Sequence, residues 1–209
     1  MCFFVVVKRN INRLLQYRLV LIRLQELGFD TVFSYSLGRE AGVTAEQVRR
    51  DFSDFGIKGN KKGGYNIDEL LSSLNKIFRK DEMQKVILVG LGNIGTALVQ
   101  YKGFQRNMIH IEAAFDIDPV KYKKKLNVHV YPMDRLDAVV RKCGFKIAII
   151  AVPGVAAQEV CDRLVDAGIT GILNISPKIL KAPKKVVVHN LQIGTALESL
   201  IYQANLSSS

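Results

Sequence analysis

The chain has 209 residues, 48% of them hydrophobic, with 30 Lys+Arg against 19 Asp+Glu for a formal charge of +11, which suits one ordinary domain plus a small one in contact with a polyanion. The longest apolar N-terminal run, Cys2 to Val7, is too short for a bilayer, and Lys8-Arg9 follow it where a signal peptide carries its charge first, so neither membrane anchor nor export is expected. Cys2, Cys143 and Cys161 have neither disulfide nor metal spacing, which fits a reducing cytoplasm and no metal site.

In chain order, residues 12–27 read as a helix with apolar positions 14, 15, 19, 21, 22, 24 and 27, wider than one stripe, closed by Gly28. Such a helix is expected to be covered on most sides. Thr31 to Phe33 is short and β-prone, and Ser36 opens a second helix ending near Ala41-Gly42. Thr44 to Gln47 matches a capping box, Thr44 accepting from the backbone while Gln47 reaches back. The third helix then has Ala45, Val48, Phe52 and Phe55 inward and Gln47, Arg49, Arg50 and Ser53 outward. Gly38 and Gly42 would let two helices cross closely, as a helix-turn-helix requires. Residues 56–67 form a glycine-rich hairpin with Lys58, Lys61 and Lys62. A polar, basic helix followed by a basic hairpin is a winged helix, with Arg49 and Arg50 toward base edges and the lysines along phosphate. The bland alternative is a solvated helix face beside a flexible loop. Charge does not choose between them, because residues 1–84 hold 14 Lys+Arg against 10 Asp+Glu and residues 85–209 hold 16 against 9.

Residues 68–80 make a helix with acids in its first turn and cations in its last, complementing the dipole. Residues 81–84 are the expected linker. Val86 to Val89 is then a buried strand that breaks into Gly90-Leu91-Gly92-Asn93-Ile94-Gly95 and restarts as a helix. This is the turn that brings backbone close to a pyrophosphate at a helix N-terminus. A second strand, Ile109 to Phe115, ends in Asp116, 21 residues beyond Gly95, where a carboxylate can hold ribose hydroxyls. The alternative is that these glycines only pack strand on helix. Strands and helices alternate to His189, which predicts a Rossmann-type doubly wound parallel sheet in an α/β fold. A last helix over 192–205 presents Ile193, Ala196, Leu197, Leu200, Ile201 and Ala204 on one face. The expected organisation is an extension at 1–10, a winged-helix domain at 11–80, the linker at 81–84, a dinucleotide domain at 85–190 and a helix and tail at 191–209.

A nicotinamide enzyme needs a substrate pocket and a proton donor beside the cofactor. No Tyr-x-x-x-Lys pair occurs at any of the seven tyrosines, and His110, His129 and His189 lie on or beside strands. No catalytic residue is assigned, and the chain reads as a binder. Asp116 favours NAD over NADP, because a carboxylate repels a 2′-phosphate. Lys121, Lys123, Lys124 and Lys125 nearby could receive that phosphate or simply solvate a helix, and exposed lysines need no ligand.

The chain resembles the Rex family of redox-sensing transcriptional repressors over roughly residues 11–202. The residues that carry the likeness are Thr44 to Phe52, Phe55-Gly56 with Gly64-Tyr65, Gly90 to Leu98, Phe115 to Pro119, Ala151-Val152-Pro153 with Ala156 to Gln158, and Gly171 to Asn174. The resemblance implies a homodimer that holds palindromic operator DNA when NADH is scarce and releases it when NADH binds, with the last helix swapped between subunits. It extends the cofactor site for NADH and NAD⁺ from the glycine turn and Asp116 to Asp118, Ala151, Val152, Pro153 and Tyr101. It also implies a switch across the dimer between a helix-1 arginine, an aspartate opening the last helix and the tyrosine after the glycine turn. Here Leu19 stands at the arginine position, with Arg18 one residue early, Gln192 stands at the aspartate position, and Tyr101 fills the tyrosine place. The wing has Lys61-Lys62 where the family has an arginine. Two other readings remain at this point: a small NAD-dependent oxidoreductase with an N-terminal dimerisation module, and an NAD-gated protein-binding regulator.

Overall fold

A computed structural model gives the fold, describing residues 2–59, 63–80, 82–123 and 126–206, with residues 2–10 as backbone only. The chain divides into two compact units, Met1–Glu82 and Met83–Ser209.

In the first unit, α1 (Cys2–Glu26), α2 (Ser34–Ala41), α3 (Ala45–Asp54) and α4 (Ile67–Ile77) pack beside a two-stranded ribbon. Residues 2–10, expected as a separate extension, continue the first helix. That helix is not covered on most sides. Leu14, Tyr17 and Leu21 are buried at spacing i, i+3, i+7, whereas Leu19 and Leu27 are 58% and 64% exposed. One small core has inner surface for only one stripe. It is completed by Leu37, Val48, Phe52, Ile67, Leu70 and Leu74. The two glycines expected to allow the crossing have different roles. A Cβ on Gly38 would sit 2.6 Å from the Val43 carbonyl oxygen, so Gly38 is the close approach, while Gly42 ends α2 in the left-handed region at φ +70° with open space around it. The expected hairpin also differs: β2 (Tyr65–Asn66) pairs antiparallel with β1 (Thr31–Val32). Lys61 and Lys62 lie outside the described residues.

In the second unit, six parallel strands lie in the order β5-β4-β3-β6-β7-β8. They are β3 (Gln84–Val89), β4 (Ile109–Asp116), β5 (His129–Pro132), β6 (Ile147–Ile150), β7 (Gly171–Asn174) and β8 (Val187–Asn190). The chain starts in the middle, winds outward to β5, then returns to wind the other way, so the order reverses between β3 and β6. Successive residues of β3 serve opposite faces, Ile87 and Val89 in one apolar cluster, Val86 and Leu88 in the other. Both faces therefore need helices, which explains why the strand reads as an unbroken apolar run. Around the sheet are α5 (Asn93–Gln100), the single turn α6 (Gly103–Arg106), α7 (Leu136–Cys143) and α8 (Gly154–Ala167), and α9 (Ile193–Leu206) follows the last strand. No residue of α9 is buried: Ile193, Leu197, Leu200 and Ile201 are each more than half exposed. Among the described residues no helix is long and apolar enough to cross a membrane, and no cluster of His, Cys, Asp or Glu could hold a metal.

Candidate functional site

The glycine turn lies at the carboxyl end of β3, beside the loop that follows β6, where the strand order reverses. Each glycine has its own reason. Gly90 has φ +97°, and a Cβ there would sit 2.5 Å from the Ala151 carbonyl oxygen, so it seals the turn against the β6 loop. A Cβ on Gly95 would run into the Gly90 carbonyl oxygen, so Gly95 lets α5 press against the strand end. Gly92, at φ −67°, is backbone any residue adopts, and a Cβ there would meet nothing within 4 Å. The protein gives no reason for glycine at 92. The missing side chain leaves a cradle at the N-terminus of α5 with room for a pyrophosphate to approach backbone N–H groups.

Asp116 ends β4 beside that cradle and is 5% exposed. Its Oδ2 accepts from the Leu91 N–H at 2.6 Å and from Lys121 Nζ at 3.0 Å, and its Oδ1 accepts from the Asp118 N–H at 2.9 Å. Burial pushes its carboxyl up, but the N–H bonds of Asp118 and Leu91 with the Lys121 ammonium outweigh burial and hold it below the usual carboxylate range. Lys121 is therefore no mere solvating lysine of an exposed helix. It sits in a 3-10 turn, Pro119–Lys123, whose start Asp118 caps by accepting the Val120 N–H at 3.0 Å. Lys124 and Lys125 lie outside the described residues.

Of the other residues expected at this site, Leu91 is buried and Asn93 and Ile94 are exposed at the mouth of the turn. Ala151, Val152 and Pro153 form the loop between β6 and α8, adjoining Gly90. Tyr101 is the exception. It caps the far end of α5, about 12 Å of helix from Asn93 at ~1.5 Å per residue, and packs edge-on against Phe104 at 5.1 Å. Within one chain it is not brought to the glycine turn, because α5 runs back along the sheet. The structure adds residues that periodicity could not suggest. Asn174 and Ser176 are buried polar groups at the end of β7; Asn174 Nδ2 donates to the Lys178 carbonyl and to Asn190 Oδ1, and its Oδ1 accepts from the Ser176 N–H and hydroxyl. This satisfied network fixes the loop that carries Pro177. With Ile94, Ser176, Leu191, Gln192 and Thr195, Pro177 lines a cavity of about 270 Å³. In the sequence Asn174 closes the stretch Gly171 to Asn174 that carries the family likeness, with no role of its own, and Ser176 follows it two residues on.

In the first unit the outward face of α3 carries Arg49, Arg50 and Ser53, all exposed. Arg49 is oriented from two sides, donating to Ser34 Oγ at 2.9 Å and Glu46 Oε1 at 3.0 Å. The capping box forms only by half. Thr44 accepts the Gln47 N–H, but the Gln47 amide turns forward to Asp51 Oδ1 at 2.7 Å instead of back, so Gln47 is not a freely outward residue. Asp51, part of the Thr44 to Phe52 stretch but given no role by the sequence, is fully buried. It accepts from Arg13 Nε and Nη2 at 2.7 Å each and from the Tyr17 hydroxyl at 2.9 Å, tying α3 to α1. Burial raises its carboxyl, yet the bonds from Arg13, Tyr17 and Gln47 leave it depressed overall, while the Tyr17 hydroxyl is raised by burial and by Asp51. Arg18 is turned into the unit, 7% exposed, donating to Asn75 Oδ1 at 2.7 Å, whereas Leu19 faces out. Lys58 is exposed beyond the end of α3.

Comparison with known proteins agrees with this division. Residues 6–53 match a family described as a putative DNA-binding protein N-terminus, and residues 81–178 one described as a CoA binding domain. The redox-sensing transcriptional repressor Rex of Carboxydothermus hydrogenoformans is 40% identical over 200 residues, covering 95% of this chain and 96% of that protein. The repressor of the same name from Listeria welshimeri is 39% identical, covering 91% and 89%. Among solved structures, RSP in complex with β-NAD⁺ and operator DNA superposes with a TM-score of 0.91 at 32% identity, covering 96% of this chain and 93% of that one. RSP in complex with β-NADH gives 0.85 at the same identity, covering 96% and 94%. With relatives this similar aligned over nearly its full length, the chain belongs to the Rex family of redox-sensing transcriptional repressors.

Proposed function

We propose that this chain is a DNA-binding repressor whose hold on operator DNA responds to NADH against NAD⁺, and that it catalyses no turnover. The observation that carries the reading is Gly92: an open cradle at the N-terminus of α5 beside Asp116, on the same chain as a helix presenting Arg49 and Arg50. In this reading α3 enters the major groove, Arg49 and Arg50 reach base edges, and Ser53 and Lys58 meet the backbone, with Lys61 and Lys62 proposed from the sequence alone. Gln47 supports the helix through Asp51 rather than reading bases directly.

The dinucleotide supplies a redox-dependent ring at one end and a ribose and pyrophosphate handle at the other. Gly90 to Gly95 hold the pyrophosphate with backbone N–H groups, Asp116 takes the adenosine ribose, and the loops carrying Ala151 to Pro153 and Ser176-Pro177 face the nicotinamide half. Asp118 holds the turn that positions Lys121. The exposed apolar face of α9 supports exchange of this helix between two copies, an isologous interface that also spaces two recognition helices for a palindrome. Tyr101 then acts across the dimer rather than on its own chain's cofactor. Leu19 and Gln192 remove both charged members of the family switch, and Arg18, engaged with Asn75, does not replace the arginine. Coupling between cofactor and DNA is therefore weaker than in relatives that keep the pair.

A mobility shift on genomic fragments with and without NADH tests the reading. Retardation relieved by NADH is the expected result. Failure to retard any fragment, or turnover of NADH with a hydride acceptor, overturns it.

A further inference from the structure

The role of Lys121 beside Asp116 rests on the proposed function, in which Asp116 takes the adenosine ribose. Asp116 is tied by three donors, Leu91 N–H and Lys121 Nζ on Oδ2 and Asp118 N–H on Oδ1. A carboxylate offers about four lone-pair positions, so about one remains, on Oδ1. Two ribose hydroxyls cannot both donate to Asp116 unless Lys121 withdraws. An ammonium has about three N–H donors, so about two stay available once one is committed to Asp116. The pair therefore presents an acceptor and a donor side by side. A vicinal diol fits it by donating one hydroxyl to Oδ1 and accepting from Nζ with the other oxygen. The same two donors fit a phosphate on the 2′ oxygen, at the place where Asp116 alone would repel it.

We propose that Lys121 sets the discrimination between NADH and NADPH at this site, offsetting the Asp116 carboxylate so that a 2′-phosphate is tolerated better than the carboxylate alone would allow. The ammonium is positioned for this by the 3-10 turn, whose Val120 N–H is held by Asp118, and by its contact with Asp116 at 3.0 Å. Its side chain remains 22% exposed against 6% for Asp116, so it reaches solvent where the ligand arrives and can be exchanged without emptying a core. Tyr122 closes the other side of the turn by donating its hydroxyl to the Asp116 carbonyl oxygen at 3.0 Å, which keeps the backbone in place when the neighbouring side chain is changed.

The test is isothermal titration calorimetry of the full-length chain with NADH directly and with NADPH by displacement of NADH, in wild type, Lys121→Met and Lys121→Arg. Methionine keeps the stem and removes the charge. The expected result is that Lys121→Met weakens NADPH by about ten-fold or more, the loss of a charge-assisted contact, while NADH changes by less than about three-fold, because the second ribose hydroxyl then donates to the Asp116 Oδ2 position that Lys121 leaves. Lys121→Arg should keep the wild-type ratio or narrow it. Equal changes for both cofactors in Lys121→Met, or an unchanged or smaller ratio of NADPH to NADH dissociation constants, overturn the proposal while leaving cofactor binding itself intact. A wild-type chain that binds neither cofactor overturns the reading beneath it.

Discussion

Replacing Asp51 with alanine removes the centre of a buried network rather than a surface charge. Four hydrogen bonds are lost, two from Arg13, one from the Tyr17 hydroxyl and one from Gln47. Breaking a buried ion pair by deleting one partner costs about 3–5 kcal/mol, but the Arg13 side chain is 24% exposed and regains water. Tyr17 is fully buried and cannot; its orphaned hydroxyl alone costs about 1–3 kcal/mol. The expected loss in the first unit is therefore about 2–4 kcal/mol, or about 30-fold to 10³-fold in opening equilibrium. Hydrogen exchange read by peptide mass spectrometry on the full chain measures it, with β3 and β4 of the second unit as internal reference. Protection should fall in α1 and α3 and hold in the sheet. The pH dependence has a definite sign. The Asp51 carboxyl is depressed in the folded chain, so its contribution is complete above the ordinary aspartate value of about 3.9 and disappears as pH falls through the folded value. The difference between wild type and Asp51→Ala should begin to shrink as pH falls below about 4 and go on shrinking through the lower folded value. Unchanged protection in α1 and α3 at neutral pH, or an equal loss in the sheet, refutes the reasoning.

Gly92→Ala should leave thermal stability unchanged and weaken NADH at least about ten-fold, whereas Gly95→Ala should destabilise the second unit by about 1–3 kcal/mol, because only the latter meets protein atoms; scanning calorimetry beside a binding titration separates them. Arg50→Ala should weaken operator binding by about 1–3 kcal/mol if it reads a guanine, and unchanged affinity in both Arg49→Ala and Arg50→Ala would remove α3 from the groove. Truncation after Val188 should give monomers or aggregates by light scattering, and a stable DNA-competent dimer would end the case for α9 exchange. Titrating operator affinity against each cofactor should give a coupling below the roughly 1–3 kcal/mol common for allosteric pairs, rising in the double variant Leu19→Arg with Gln192→Asp; release by NADH orders of magnitude stronger than by NAD⁺ in wild type would contradict it.

What was legible in the sequence is what local rules govern. An apolar run broken by Gly90, Gly92 and Gly95, with an acid 21 residues on, specifies strand, turn, helix and second strand, because glycine conformations and strand length are set within a few residues. The outward placement of Arg49 and Arg50 follows in the same way from the 3.6-residue period of α3. The tertiary structure decided what depends on partners far along the chain. Asp51 reads locally as one more polar residue beside two arginines, and only the approach of α1, 38 residues away, makes it a buried anchor. Tyr101 is one helix length from the glycine turn in sequence and at the other end of that helix in space. Asn174 and Ser176 gain their roles from Lys178 and Asn190, which close a loop that no periodicity encodes. Lys121 stood out by charge alone, as one of a cluster. Its contact with Asp116 is what separates it from the exposed Lys123, since the worth of a charge depends on what lies within about 4 Å of it and on how much water remains between them.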